Sequence, residues 1–200
     1  MSVYCKGYGL DIGYGGDPIA PHAITVDMPV PYTSVGSTPL NLGGDARDLC
    51  WFKDEALDFV FSSHLLEDFD ADETKLVMLE WLRVLKVGGR LIIYCPDEKI
   101  YAEHCRRTGQ PHNDGHRVPD FGLEYLKRVI KGLGNVEIIH EAPLTEVYSF
   151  DLVLRKTGKN PITTRPLKLK LRRYKEGAKD VLRPYLGPVK RKLVAMLKKG

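Results

Sequence analysis

At 200 residues and 22.6 kDa, with 43% hydrophobic and 28% charged residues, the chain is long enough for one domain with a sizeable core, which excludes a disulfide-stapled mini-protein or a disordered tail. No run of eighteen apolar residues occurs and the start MSVYCKGYGLDIG has no secretory pattern, so the expected location is cytoplasmic. The net charge of +4 hides an asymmetry: residues 156 to 200 carry 15 Lys/Arg against Glu176 and Asp180, a net +13, which leaves −9 on residues 1 to 155. An acidic domain over 1–155 and a basic tail over 156–200 follow. Cys5, Cys50, Cys95 and Cys105 are widely spread with no Cys-x-x-Cys or Cys/His ligand spacing, so they read as reduced thiols, and no metal is assigned.

In chain order, residues 8–12 (YGLDI), 23–27 (AITVD), 57–63 (LDFVFSS), 90–95 (RLIIYC), 135–140 (NVEIIH) and 147–154 (VYSFDLVL) are rich in β-branched and aromatic residues and read as strands. Leu76, Leu79, Leu82, Val84 and Leu85 recur at helical spacing, predicting a helix over about 73–86, capped by Asp72 and stopped by Gly88-Gly89. Phe121, Leu123, Leu126, Val129 and Ile130 predict a second helix near 121–131, ending before Gly132 and Gly134. Strands alternating with helices imply a doubly wound α/β domain with a mostly parallel sheet. Two early connections carry Pro18 and Pro21, then Pro29, Pro31 and Pro39, and neither can hold a full helix. One face over the early strands is therefore expected to be bare unless the tail or a second copy of the chain covers it.

Asp11-Ile12-Gly13-Tyr14-Gly15-Gly16-Asp17 follows the first strand, and glycines at such a turn let the backbone approach a ligand. Asp27 ends the second strand, where a carboxylate can accept both hydroxyls of a ribose, and Met28 follows it. Asp45 in GGDARDL offers a third acidic position where a further strand would end, suited to an adenine amino group. A nicotinamide dinucleotide site would need its third glycine at Pro18, which has no backbone N–H to give. With these residues, and above all with the stretch LDFVFSSHLLEDFDADETKLVMLEWLRVLKVGGRLIIYCPD, the chain resembles the class I S-adenosylmethionine-dependent methyltransferases, of the small type often linked to surface-glycan (lipopolysaccharide) biosynthesis. The resemblance covers roughly residues 8 to 155. It departs at Gly15-Gly16-Asp17, which replaces the spaced third glycine, and at Asp68, where a second His commonly follows Leu-Glu.

The resemblance implies a Rossmann-like, seven-stranded sheet with shortened early helical connections, and S-adenosylmethionine as cofactor with S-adenosylhomocysteine as product. It implies that Asp11 and Gly13, with Tyr14 and Gly15 in the same loop, lie at the methionine end of the cofactor. Asp27 and Met28 would then lie at the ribose, Asp45 and Ala46 at the adenine, and Ser62, Ser63 and His64 at the fourth strand end where the methyl group meets the acceptor. If the acceptor is a hydroxyl, His64 has the residue type and location of a general base; the alternative is a strand-end histidine holding the next turn. His104, His112 and His116 fall in an expected loop after the fifth strand, where His112, Asp114 and His116 read as acceptor-binding groups. His112, His116 and Asp114 as metal ligands lack a helix or strand to fix their spacing.

The tail places Ala178, Val181, Leu182, Tyr185, Leu186, Val189, Leu193, Met196 and Leu197 on one helical face with basic residues opposite, and Pro184 and Pro188 divide it into two short helices. Such a segment suits an anionic inner-membrane surface or self-docking on the sheet; nucleic acid fits less well, since Tyr174 and Tyr185 make no stacking platform. The functional expectation is O-methylation of a sugar or glycan-linked acceptor, the alternative being a catalytically degenerate cofactor-binding scaffold in a membrane-associated assembly.

Overall fold

In the computed structural model, which describes residues 1–28 and 39–159, the β-rich runs form one sheet. The strands are β1 (Gly9–Ile12), β2 (Ile24–Asp27), β3 (Leu42–Gly43), β4 (Leu57–Ser63), β5 (Leu85–Pro96), β6 (Val136–Thr145) and β7 (Ser149–Lys156), in the order β3-β2-β1-β4-β5-β7-β6. The first five pair in parallel, whereas β7 runs antiparallel to both β5 and β6. All four residues of β1 are buried, as a strand covered on both faces requires. The outermost strand β6 contains Pro143, tolerable at an edge because its missing N–H leaves no ladder bond unmade. Parallel register sets Ile12 beside Val26 and Ser62, and Asp27 beside Gly43, so four strand ends share one carboxyl edge.

Side-chain alternation along the strands divides the core in two. Val60, Leu91, Ile93, Leu152 and Leu154 face a large cluster with α1 (Ala71–Val84) and α3 (Leu123–Ile130), centred on Val77, Met78, Trp81, Leu82 and Leu126. Phe59, Phe61, Ile92 and Val153 point the other way, into a smaller cluster with Cys5, Ala20 and Ala23, against which Met1, Tyr4 and Ile19 pack. The expectation of a bare face is thus corrected at these strands: the N-terminal residues and the helix-free connection 13–23 cover it, with Phe59 and Ile92 fully buried. The expected tail helices and most of the second Pro-rich connection lie outside the described residues. Lys156, counted with the tail by charge, is the last residue of β7; its buried Nζ donates to Leu85 O at 2.7 Å, and burial lowers its pKa. Among the described residues no helix is long and apolar enough to cross a membrane.

Element boundaries differ from expectation most around α1 and β5, and β6 runs on to Thr145. Asp70, not Asp72, caps α1: its carboxylate accepts from Glu73 N at 2.8 Å while Asp70 N donates back to Glu73 Oε2 at 3.3 Å, a reciprocal capping box. The helix ends at Val84 and the chain passes straight into β5, where Gly88, at φ +85°, and Gly89 allow the register shift between Leu57 and Phe59 on the neighbouring strand. A further helix, α2 (Glu98–Thr108), occupies the start of what reads as loop. Only Glu98 and Cys105 of it are buried, so it has no apolar stripe; Asp97 caps it and Gly109, at φ +74°, ends it.

The Glu-Trp-x-Arg run on α1 anchors the segment between β3 and β4. Trp81 Nε1 donates to Ala46 O at 2.8 Å, Leu49 N donates to Glu80 Oε1 at 2.9 Å, and Arg83 donates to Leu49 O, Phe52 O, Glu80 and Asp54. The side chains of Arg83 and Glu80 are 9% and 10% exposed, so removing the guanidinium leaves a buried carboxylate without its cation. Arg83→Ala should therefore destabilise the fold by about 3–5 kcal/mol in urea denaturation, whereas Asp54→Ala, at the exposed end of the network, should cost about 1 kcal/mol or less.

Candidate cofactor and acceptor site

The carboxyl edge gathers most of the expected cofactor residues. Asp11, the third residue of β1, is 3% exposed and its Oδ2 accepts from Ile19 N at 2.7 Å. Burial pushes its carboxyl up to about 6, the Ile19 bond opposes this, and the charge of nearby Asp27 adds to it. Asp27 is half-buried and likewise raised by burial, against a 2.6 Å bond from Met28 N to Oδ1. Two carboxylates at adjoining strand ends, at least one costly to ionise, make a place that favours a cation and hydroxyl donors.

Gly13 turns the chain at φ +78°, with its N–H bonded to Val26 O at 3.0 Å, and a Cβ there would come within 2.8 Å of the Leu65 side chain. A Cβ on Gly15 would meet nothing within 4 Å, so the loop faces open space there. Tyr14 points inward instead: it is 1% exposed, and its hydroxyl donates to Gly16 O, shaping the loop from below. Met28 is exposed. Asp45 and Ala46 are fixed to the protein itself: Asp45 is forked by Arg47, Nη2 to Oδ2 at 2.7 Å, Arg47 reaches on to Glu73 at 3.0 Å, and Ala46 O carries the Trp81 bond. An adenine amino group would share Asp45 with Arg47.

At the end of β4, Ser62 is fully buried with an Oγ that has no hydrogen-bond partner, and Ser63 is half-buried. His64 adopts φ +49°, a left-handed conformation uncommon for a side-chain-bearing residue, which turns the chain sharply off the strand. Its N–H donates to Tyr94 O at 2.9 Å, its ring lies edge-on to Tyr94 at 5.2 Å, and its side chain is 42% exposed. Glu67, on the short 3-10 turn Leu66–Asp68, approaches His64 Nδ1 at 3.5 Å through Oε1. Glu67 is 1% exposed and its Oε2 has no partner; in the sequence only its place in the run SHLLE marks it.

The polar segment after β5 meets this edge as expected, with different internal partners. His104 lies on α2, its ring 5.2 Å from Tyr148, rather than in a loop. His112 Nε2 and His116 Nδ1 both reach the Glu98 carboxylate, at 2.5 Å and 2.6 Å, whereas Asp114 is exposed and outside this cluster. Arg117 N donates to Glu67 O at 2.9 Å, tying the segment to the turn that follows His64.

The residues present fit S-adenosylmethionine: a buried carboxylate for its ammonium group, a second for ribose hydroxyls, a glycine turn opening onto free space, and an unpartnered buried serine hydroxyl beside the reaction end. Residues 26–93 match the methyltransferase domain family. No curated protein sequence matches the chain. Among solved structures, an S-adenosylmethionine-dependent methyltransferase from Archaeoglobus fulgidus superposes with TM-score 0.57 at 18% identity, covering 77% of this chain and 89% of the other. A protein from Pyrococcus horikoshii gives 0.56 at 20% identity, covering 76% and 82%. A Thermotoga maritima S-adenosylmethionine-dependent methyltransferase gives 0.55 at 21% identity, covering 76% and 83%. The structural neighbours establish the fold, and within it residues 26–93 are similar to the methyltransferase domain family.

Proposed function

We propose that the enzyme methylates a hydroxyl of a sugar or glycan-linked acceptor, with His64 as general base. The observation that carries this reading is the His64–Glu67 pair at the end of β4: an imidazole open to solvent, backed at 3.5 Å by a buried carboxylate. A carboxylate behind one ring nitrogen orients the ring and stabilises the charge it acquires on taking a proton, leaving Nε2 for the acceptor. When bound, the cofactor supplies an electrophilic methyl group, so the protein needs mainly to align the acceptor and exclude water. Asp11 and Asp27 would hold the ammonium and ribose groups, Gly13 and Gly15 would let the backbone close on them, and the segment 111–118 would border the acceptor. The surface-glycan class rests on the resemblance of residues 57–97 and on the polar, histidine-bearing character of that segment.

Turnover of labelled S-adenosylmethionine against glycan, lipid, nucleic-acid and small-molecule acceptors tests the reading. Transfer to a sugar hydroxyl supports it, and transfer to nitrogen or carbon only would overturn it. The engagement of Asp45 by Arg47 favours a second reading, a cofactor-binding scaffold without turnover; binding of S-adenosylhomocysteine with no transfer to any acceptor would select it.

The net +13 on residues 156 to 200 supports a peripheral role at an anionic inner-membrane surface, which would suit a lipid-linked glycan acceptor. Each cation near an anionic surface contributes about 1 kcal/mol before screening. The full-length protein should co-sediment with phosphatidylserine-containing vesicles at low salt, and much less at high salt. A truncation of residues 161 to 200 should stay in the supernatant. Equal sedimentation of both proteins would remove the tail from this role.

A further inference from the structure

We infer that Glu98, His112 and His116 form a binding site for a divalent transition-metal ion of the zinc type, with one coordination position left open. The carboxylate and the two imidazoles each offer one ligand atom, and these atoms lie within 4.8 Å of one another. Several contacts hold the three residues in this arrangement. Glu98 opens α2 and is 6% exposed, its N–H anchored to Phe121 O at 2.9 Å. Asn113 Oδ1 accepts from Gly115 N at 2.9 Å and its backbone O accepts from His116 N at 3.3 Å, which folds His112-x-x-x-His116 into a tight turn. Tyr101 stands against both imidazoles with ring centroids 5.1 Å away, and the His116 side chain is 7% exposed.

Two imidazoles and one carboxylate, with the histidines separated by three residues, are a donor set of borderline softness that suits zinc better than magnesium or calcium, which take oxygen ligands. This reverses the sequence reading, which assigned no metal because no helix or strand fixes the histidine spacing. The turn at Asn113 fixes it, and the third ligand is Glu98, fourteen residues upstream, in place of Asp114. Hydrogen bonding alone would also account for the two His–Glu distances. The cluster has a further property of a metal centre: all three residues line a cavity of about 460 Å³, so a fourth position could take a water or an acceptor oxygen. A metal there would clamp the polar segment to the first turn of α2. Only the use of the fourth position rests on the hydroxyl-acceptor reading; the existence of the site does not.

The test is metal binding by the full-length protein, stripped with chelator and free of cofactor and acceptor. Zinc is titrated against a chromophoric competitor, and cobalt is added separately to read its visible spectrum. A single tight equivalent with the intense visible absorption of tetrahedral cobalt is expected. Loss of a ligand should weaken zinc by at least the 10- to 100-fold seen for lost outer-shell partners, in His112→Ala and Glu98→Gln alike. His112 is half-exposed and its removal leaves the Glu98–His116 bond, so that variant should keep its far-ultraviolet circular dichroism. Failure of the wild type to bind zinc, or unchanged binding in a folded His112→Ala protein, as would follow if exposed Cys50 were the ligand, overturns the site. The tail contains no His or Cys to compete. Neither outcome depends on methyl transfer, so a failed metal site and a failed acceptor assignment are told apart.

Discussion

With a hydroxyl acceptor, His64→Asn should lower kcat by roughly 10²- to 10⁴-fold, the usual contribution of a positioned general base. Asparagine is the informative replacement because His64 sits at φ +49°, a conformation that asparagine tolerates and alanine resists, so the backbone turn after β4 survives while the proton acceptor is lost. Affinity for S-adenosylhomocysteine should remain within a few-fold of wild type, since the ring faces Tyr94 and Glu67 rather than the glycine turn. Glu67→Gln should slow kcat by a smaller factor with little change in acceptor KM, because it removes orientation and charge stabilisation behind the ring while leaving the imidazole in place. A His64→Asn enzyme with wild-type kcat would reduce His64 to a residue that shapes the turn.

The second large effect is the pH dependence set by Asp11. Its carboxyl is raised to about 6 from an ordinary value of 3.8, so the folded protein holds this proton more tightly than the unfolded chain does. Ionisation therefore costs stability: the group is neutral in the fold at pH 4, and the cost accumulates as pH rises through 6. A shift of this size is worth about 3 kcal/mol in full. Asp11→Asn has no proton to lose, so it should match the wild type near pH 4 and be more stable by up to about 3 kcal/mol at pH 8, as read by urea titration.

Cofactor binding should change in the opposite sense. A ligand ammonium near Asp11 favours the carboxylate, so calorimetric affinity for S-adenosylhomocysteine should rise with pH through 6 and level off above it. In Asp11→Asn it should be flat in that range and about 10- to 100-fold weaker, the 1.5–3 kcal/mol of a charge-assisted bond. Equal affinity in the two proteins at pH 8 would show that Asp11 does not hold the ligand. The gain in stability and loss of affinity in one variant would mean that the uncompensated carboxylate is maintained for its ligand.

Much of this architecture was legible from local pattern. The strand β4 was read to its boundaries, and Asp11 and Asp27 stand at adjoining strand ends because parallel pairing brings successive carboxyl ends to one edge. The reading of α1 was off by two residues because Asp70 and Asp72 are both acceptable caps, and the reciprocal bond to Glu73 decides between them. The helix α2 was missed because helix recognition rests on an apolar stripe, and this helix buries only Glu98 and Cys105; Asp97 and Gly109 were the signals available at its ends. The sheet face expected to be bare unless the tail or a second copy covered it is closed from within the domain, because Met1, Tyr4 and the connection through Ile19, Ala20 and Ala23 supply enough apolar surface without a helix.

What the sequence by itself determined are the features encoded by neighbouring residues: strands rich in β-branched and aromatic residues, the glycine turn after β1, the acidic strand ends, and the charge asymmetry between residues 1–155 and 156–200. Only the tertiary structure decided which groups share a point in space. Glu67 comes to back His64 because the chain reverses at a left-handed residue, and Asp45 is held by Arg47 on a segment anchored to Trp81 and Arg83. Glu98 meets His112 and His116 because a helix without an apolar face returns its loop to its own first turn. The contacts between separate segments leave no periodic trace in the sequence, since they join residues 14 to 35 positions apart, as Glu98 is from His112 and Ala46 from Trp81.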